Sequence, residues 1–483
     1  MNKPVSPSVE ESKVRMLAVL AAQKHAQVRQ GPPDARLRKD RLTRCIDLLL
    51  THQNELVDAI QVDFGVRSRD MTRLTDIAGA IGPLKQARAN LETWMKPQSR
   101  KVTPAALGLL GARAEVRYQP KGVVGVMTPW NFPVQLAVDA IAGAFAAGNR
   151  VMLKPSEFTP VTSALLAQVF DLYFDEDELA VILGGPDVGA AFAGLAFDHL
   201  IFTGATSVGR HVMRAAAENL TPVTLELGGK SPVVIGRGAD VAKTAARVMA
   251  GKIMNAGQVC LAPDYVLAPT ESMDAFVAGA RASVAKMFPT MKDNGDYTAM
   301  INQRHYDRVR GLIADAKAKG AEIIELNPAN EDFSQQEHRK IPPTLVLGAT
   351  DEMSVMQEEI FGPVLPVRAY SALEGAIAEI NARPRPLALY YFGEDSAECD
   401  ALLAHTHSGG VSINDVILHF SMDDLPFGGV GSSGIGAYHG QRGFLEFSHE
   451  KAVFKQTASE VIAMLRPPYG DAFRKQVAAR LKP

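Results

Sequence analysis

The sequence predicts an α/β protein with two doubly wound parallel-sheet domains and a small arm set apart from both. Three observations predict this. A chain of 483 residues is too long for one hydrophobic core and divides into two or three domains of ordinary size. Short apolar runs bounded by Gly and Pro (GVVGVMTP, RVMLKPSE, LAVILGGP, DHLIFTGA) alternate with helical segments such as Pro133 to Ala147 and Pro160 to Phe174, which is the text of a parallel sheet covered by helices. After Gly229 the alternation begins again with SPVVIG, a helix from Asp240 to Met254, and the strands DYVLAP, PPTLVLG, PVLPVRAY, PLALYYFG and GGVSIN.

The elements follow in order. From about Glu10 to Trp94 apolar positions recur at three and four (Leu42, Ile46, Leu49, Leu50) among Arg, Lys and Asp, so this part is helical without strands. From Ser99 to Tyr118 the text turns to Pro, Gly, Ala and Leu and then alternates in ARAEVRYQP, an irregular excursion that ends in a strand and protrudes as an arm. The boundary between the two sheets falls near Glu226 to Lys230. The expected division is residues 1–98 and 121–226 in the first domain, 227–434 in the second, 99–120 and 435–460 in the arm, and 461–483 in a C-terminal tail. Leu326 to Pro343 is polar and reads as a surface loop.

Composition narrows the function. Hydrophobic residues at 47% and charged residues at 22% are ordinary for a soluble globular protein, and a formal net charge of -2 offers nucleic acid no basic face. The expected partners are small molecules or other protein subunits. Cys45, Cys260 and Cys399 stand far apart, so neither a metal site nor a disulfide framework is expected, which suits a reducing compartment. The polar start MNKPVSPSVEESKVRM has no apolar h-region, and no run approaches the ~18 apolar residues that span a bilayer. The expected location is the cytoplasm, with no membrane association.

Several residues stand where chemistry is possible. Cys260, in GKIMNAGQVCLAPD, follows a small-residue turn at Gly257 and Gln258; main-chain N–H groups there can support a thiolate nucleophile, while an inert buried thiol is the alternative. Glu226 ends the apolar strand PVTLEL before two glycines, either capping the turn or serving as a desolvated general base. Asn131 lies between the prolines of TPWNFP, where its amide either donates to an oxyanion or makes a local turn. Gly204 and Gly209 mark a strand-to-helix turn whose amides can hold a pyrophosphate, although it is not G-x-G-x-x-G and such a turn is often only structural. Lys154 and Glu157, in KPSE, either bracket a ribose or form an exposed ion pair.

The ordered set TPWNFP, KPSE, FTGATSVGR, ELGGK, GQVC, EEIFGP and PFGGVG resembles the NAD(P)-dependent aldehyde dehydrogenase superfamily from about Arg44 to Glu450. MNAGQVCLAPDYVL, SINDVILHF and PFGGVGSSGIGAYHGQRGFLEFSHEK resemble its class 3 branch, and within it the bacterial coniferyl aldehyde dehydrogenase type. The resemblance implies an NAD-binding first domain, a catalytic second domain and a bridging arm. It implies Cys260 as nucleophile, forming a thiohemiacetal and then a thioester, with the oxyanion held by the Asn131 amide and the Cys260 N–H. Glu226 would activate the hydrolytic water. Lys154 and Glu157 would meet the adenine ribose, Gly204, Thr206 and Gly209 the pyrophosphate, and Glu359 and Phe361 the nicotinamide half. Lys252 matches a class 3 lysine that would raise thiolate content.

The cofactor implied is NAD, with NADP also accepted; Glu157 would oppose a 2′-phosphate, and Ala205 replaces the Ser or Asn of many relatives. The substrate implied is an aromatic aldehyde such as coniferaldehyde, or a medium-chain one, in a funnel for which Phe132, His419 and Phe420 are candidates, with core packing as the alternative for each. Arg113 to Tyr118 and Gly436 to Thr457 would join across a homodimer. A general detoxifying aldehyde dehydrogenase is the near alternative. A CoA-acylating enzyme, against which Glu226 speaks, and a non-catalytic NAD-binding protein are the remote ones.

Overall fold

Helices come first, as the spacing requires. The computed structural model describes residues 9–458 and 466–481; the extreme N-terminal residues of the polar start, 1–8, and tail residues 461–465 and 482–483 lie outside them, as do 459–460. Helices Val9–Gln30, Ala35–Thr51, Gln53–Phe64 and Gly79–Trp94 fill the first part. Asp34 starts the second by accepting from the Leu37 N–H at 2.8 Å, the usual role of an Asp before a helix.

The strands follow in chain order. β1 (Gln98–Arg100) and β2 (Arg113–Pro120) pair antiparallel in the arm. β3 (Val123–Met127), β4 (Arg150–Lys154), β5 (Leu179–Val181), β6 (His199–Thr203) and β7 (Val223–Glu226) form a parallel sheet in the order β7-β6-β3-β4-β5. All residues of β3 and β4 are buried, as strands covered on both faces must be. The strand order reverses between β3 and β6, and the crevice beyond that point is where such sheets take ligands.

The second sheet contains β8 (Pro232–Ile235), β9 (Tyr265–Pro269), β10 (Glu322–Glu325), β11 (Thr344–Leu347), β12 (Val364–Tyr370), β13 (Ala388–Phe392) and β14 (Gly410–Ile413), in the order β10-β11-β12-β9-β8-β13-β14. It is parallel except for β10, an edge strand that sequence reading passed over because it is short and half exposed. The loop 326–343 is irregular but not wholly at the surface. Lys340 is buried there, donating to the carbonyls of Met291, Lys292 and Asn294 at 2.9, 3.0 and 2.7 Å.

One boundary differs from expectation. β15 (Gly434–Ile435) adds to the first sheet antiparallel to β7, with Gly434 opposite Glu226, and the helix Gly440–Glu446 packs on the helix Gln135–Ala147. Only β16 (Ser448–Lys455) joins the arm, pairing with β2 along its length. The glycines permit this return: a Cβ on Gly434 would lie 2.4 Å from the Leu225 carbonyl oxygen. Among the described residues no helix is long and apolar enough to cross a membrane.

Candidate active site

Cys260 is delivered by a strained loop. Asn255, Ala256 and Gly257 lie in succession in the left-handed region, at φ 49, 54 and 74°. Each non-glycine residue held there costs of order 1–3 kcal/mol, so the surroundings must over-determine the turn. Gln258 does so: its Nε2 donates to the carbonyls of Asn255 (2.9 Å) and Ala299 (3.1 Å), and its Oε1 accepts from the Ile301 N–H (3.0 Å). Gly257 is bare for a reason, since a Cβ would lie 2.2 Å from the Gly362 carbonyl oxygen. Just beyond the thiol, the Leu261 carbonyl accepts from the Tyr390 hydroxyl at 2.6 Å.

Two cavities meet at this thiol. One, of about 590 Å³, is mostly apolar and includes Phe132, Leu136, Met254, Val416, Ile417 and Phe420. The other, of about 470 Å³, includes Trp130, Asn131, Gly204, Thr206, Glu226, Glu359 and Phe361. Cys260 and Leu136 line both. The thiol is partly exposed at that junction yet surrounded by protein, and this burial, with the charges of Glu359 and Glu226, pushes it up to about 12 against the Cys260 and Leu261 amides.

Asn131 follows β3 and is fixed from several sides. Its Nδ2 donates to the Gln258 carbonyl (3.1 Å), and its own carbonyl accepts from Arg67 (2.7 Å) and Asn255 (3.1 Å). Arg67 is paired with Asp76 at 2.6 Å, both fully buried, and Asp76 accepts from the Val134 and Gln135 amides at 3.2 and 3.4 Å. Arg67, Asp76, Asn255 and Gln258 escaped sequence reading as site residues. Their links to Asn131, Ala299, Ile301 and Val134 reach far along the chain, and only the Asn-Ala-Gly-Gln text hinted at a special turn.

Glu226 ends β7 and faces the second cavity. It is 2% exposed, neither oxygen bonds to protein among the described residues, and burial, then the Glu446 charge, raises its carboxyl well above the usual range. Glu359 is pushed up to about 8 by burial and by Asp264, and its carboxylate packs so closely on Gly228 that a Cβ there would lie 2.3 Å from Oε2. The loop carrying Glu359 is anchored by Arg308, which donates to the Glu359 and Ile360 carbonyls at 3.3 and 2.6 Å, and by Lys230, paired with Asp264 and donating to the Val355 carbonyl at 2.8 Å. Phe361, at φ 46°, meets Trp130 edge-on at 5.4 Å between ring centroids.

Other candidates stand apart. Lys154 and Glu157 pair with each other at 3.0 Å and are not among the residues lining either cavity. Gly209 is inside the helix Thr206–Ala217, where a Cβ would meet the Leu227 side chain at 2.7 Å, so it serves close helix–strand packing. His419 bonds to Ser412 Oγ at 2.9 Å and packs on Gly410 away from the funnel, whereas Phe132 and Phe420 line it. Lys252 is wholly buried; burial lowers it to about 8, with Asp264, Lys230 and Glu359 acting on it, and it is not among the charges that move Cys260.

The second cavity offers a phosphate site at its rim. Gly204 leaves its rim bare, and Ala205 gives the helix Thr206–Ala217 no side-chain cap, so the first amides are free for a phosphate. A thiol at the junction of this cavity and an apolar one, at the ends of two parallel sheets, defines the class: an α/β oxidoreductase.

Comparison with known proteins narrows the class. The aldehyde dehydrogenase family profile matches residues 7–453. The chain is 62% identical, over 100% of both chains, to the probable coniferyl aldehyde dehydrogenase of Caulobacter vibrioides. It is 53% identical, over 94% of each, to the coniferyl aldehyde dehydrogenase of a Pseudomonas species. Its fold matches the substrate-bound AldH of Staphylococcus aureus with a TM-score of 0.90 at 34% identity, covering 97% of this chain and 99% of that one. It also matches the NAD+ complex of a Mycobacterium tuberculosis aldehyde dehydrogenase with a TM-score of 0.82 at 29% identity, over 92% and 91%. The chain belongs to the aldehyde dehydrogenase family, and it is an enzyme that oxidises an aldehyde to the carboxylic acid.

Proposed function

We propose that this enzyme oxidises an aromatic aldehyde of the coniferaldehyde kind through covalent catalysis at Cys260, using NAD. The observation that carries the reading is the convergence on a single thiol of an apolar cavity and of one with uncapped helix amides at its rim. Cys260 Sγ attacks the aldehyde carbon, and the oxygen is received by the Asn131 amide and the Cys260 N–H, donors that strengthen as charge develops there. NAD supplies the hydride acceptor when bound. The carbon left on sulfur is a thioester. Glu226, without a protein hydrogen bond, takes the proton of the water that hydrolyses it. Glu359 and Phe361 hold the nicotinamide half, and Gly204 and Thr206 the pyrophosphate, with Gly209 supporting that turn from inside the helix.

The substrate class rests on the funnel and on the relatives' names. Phe132 and Phe420 present flat apolar surface, and the Gln135 side-chain amide, in a residue only 9% exposed, lines the funnel without a hydrogen bond among the described residues. An oxygen-bearing ring satisfies both. An NADH-coupled screen of coniferaldehyde, benzaldehyde and linear aldehydes tests this: coniferaldehyde gives the highest kcat/KM, and a preference for linear aldehydes overturns it.

The Lys154–Glu157 pair would form the adenine-ribose end, and Glu157 would repel a 2′-phosphate, so NADP is accepted less well than NAD. The first sheet with the N-terminal helices forms the NAD-binding domain, the second sheet the catalytic domain, and β1, β2 and β16 the oligomerisation arm of a cytoplasmic homodimer.

A further inference from the structure

In the role proposed for it Glu226 sheds a proton in every turnover, and it lines the second cavity. A third cavity, of about 760 Å³ and open to solvent, shares no lining residue with the other two; Lys121, Arg442 and Glu446 are part of its wall. Glu446 Oε1 accepts from Thr224 Oγ1 at 2.7 Å, and Oε2 pairs with Arg442 at 3.1 Å. Thr224 lies two residues before Glu226 on β7, so the two side chains share one face of the sheet with Cα atoms roughly 6.5–7 Å apart. Space for the Glu446 carboxylate comes from Gly436, which follows β15: a Cβ there would lie 2.8 Å from Glu446 Oε1 and 3.2 Å from Thr224 Cγ2.

The hydrogen bonds behind Thr224 have one direction. Lys121 Nζ is 3.0 Å from His199 Nδ1, and His199 Nε2 is 2.8 Å from Thr224 Oγ1. An ammonium only donates, so Nδ1 accepts, Nε2 carries the proton to Thr224, and the Thr224 hydroxyl proton goes to Glu446. The chain ends at the Glu446 carboxyl, and burial keeps His199 neutral, lowered to about 3. Glu446 is also the side-chain charge that acts on Glu226. The charged and titratable groups around Glu446 are Arg442 on its own helix, Lys121 after β2, His199 on β6 and Glu226 on β7, with Lys24, Asp198, His449 and Glu450 on the wall of the third cavity.

We propose that Glu446 is a positioning residue for thioester hydrolysis, taking through one bridging water the proton that Glu226 receives and releasing it into the third cavity. This rests on the proposed role of Glu226. In that step the water oxygen bonds to the acyl carbon, the C–S bond breaks with its electron pair on sulfur, and the proton passes from water to Glu226 to Glu446 to solvent. Nothing is oxidised or reduced.

The test is stopped-flow NADH formation across pH, with the full-length wild type, Glu446→Gln, Glu446→Asp and Glu226→Gln. Glu446→Gln keeps the NADH burst within about 2-fold while steady-state turnover falls about 10-fold. Loss of the neighbouring charge also moves the acid limb of its steady-state profile to lower pH, and Glu446→Asp restores at least half the rate. A burst and steady state that fall together, an unmoved acid limb, or equal rates for the Asp and Gln variants overturn the proposal. If Glu226→Gln leaves acyl-enzyme hydrolysis intact, the parent reading fails; if it slows hydrolysis and Glu446→Gln does not, only the proposal for Glu446 fails.

Discussion

At the residue scale the thiol and the carboxylates set the chemistry. Cys260→Ser lowers aldehyde oxidation by at least about 10³-fold while NAD binding, read by quenching of protein fluorescence, changes only a few-fold. In the free enzyme the thiol is pushed up to about 12 by burial and two carboxylates, so alkylation by iodoacetamide rises with pH far into the alkaline range. A cationic nicotinamide in the adjoining cavity favours thiolate, and adding NAD+ moves that alkylation profile to lower pH by a unit or more, on the order expected for an opposite charge nearby. Glu226 is raised above the usual carboxyl range, so in its proposed role it accepts a proton only as pH climbs through that raised value. Glu226→Gln keeps the first-turnover burst, loses roughly 10²-fold or more in steady state, and flattens this pH dependence.

At the element scale the Cys260 loop depends on groups that never touch substrate. Gly257→Ala combines a φ of 74° with a Cβ 2.2 Å from the Gly362 carbonyl, so the loop cannot close as it stands. Its expected result is a folded protein, by circular dichroism, with activity lost and a lowered melting temperature. Arg67→Ala leaves Asp76 buried without its partner and frees the Asn131 carbonyl; it costs about 3–5 kcal/mol, read as a lower denaturant midpoint. Cys260, Glu226 and Asn131 were visible as candidates because each interrupts an apolar or proline-framed run with a reactive side chain. Gln258, Arg67 and Asp76 were not, because a buried Arg and an exposed one are written alike. Lys252, wholly buried, and His419, bonded to Ser412, show the same limit: sequence proximity to a thiol or a funnel does not say where a side chain points.

For the whole molecule, buried carboxylates couple stability to pH. Asp139 is 4% exposed, neither oxygen is hydrogen-bonded among the described residues, and burial, then Asp423 and Asp76, raises it well above 3.8. A carboxyl raised by folding stabilises fully below its unfolded value, and that contribution is lost as pH rises toward the folded one. Asp139→Asn therefore matches the wild type near pH 4 and melts higher than it at pH 9, by roughly 3 °C or more; equal melting at both pH values would sink the argument. The arm carries β16 as an exposed edge, and sedimentation at micromolar concentration is expected to give a dimer.

Periodicity and turn residues marked the layers, because burial acts on each run of side chains where it stands in the chain. The family and the candidate thiol were equally legible, through short motifs at strand ends. Which ends meet was another matter. The Cys260 loop reaches Asn131 after β3 and Ala299 beyond the next helix, β15 turns back to pair with β7, and Glu446 fills the space left by Gly436. Those contacts join residues far apart in the chain, and their free energy exists only once both sheets have formed and crossed over.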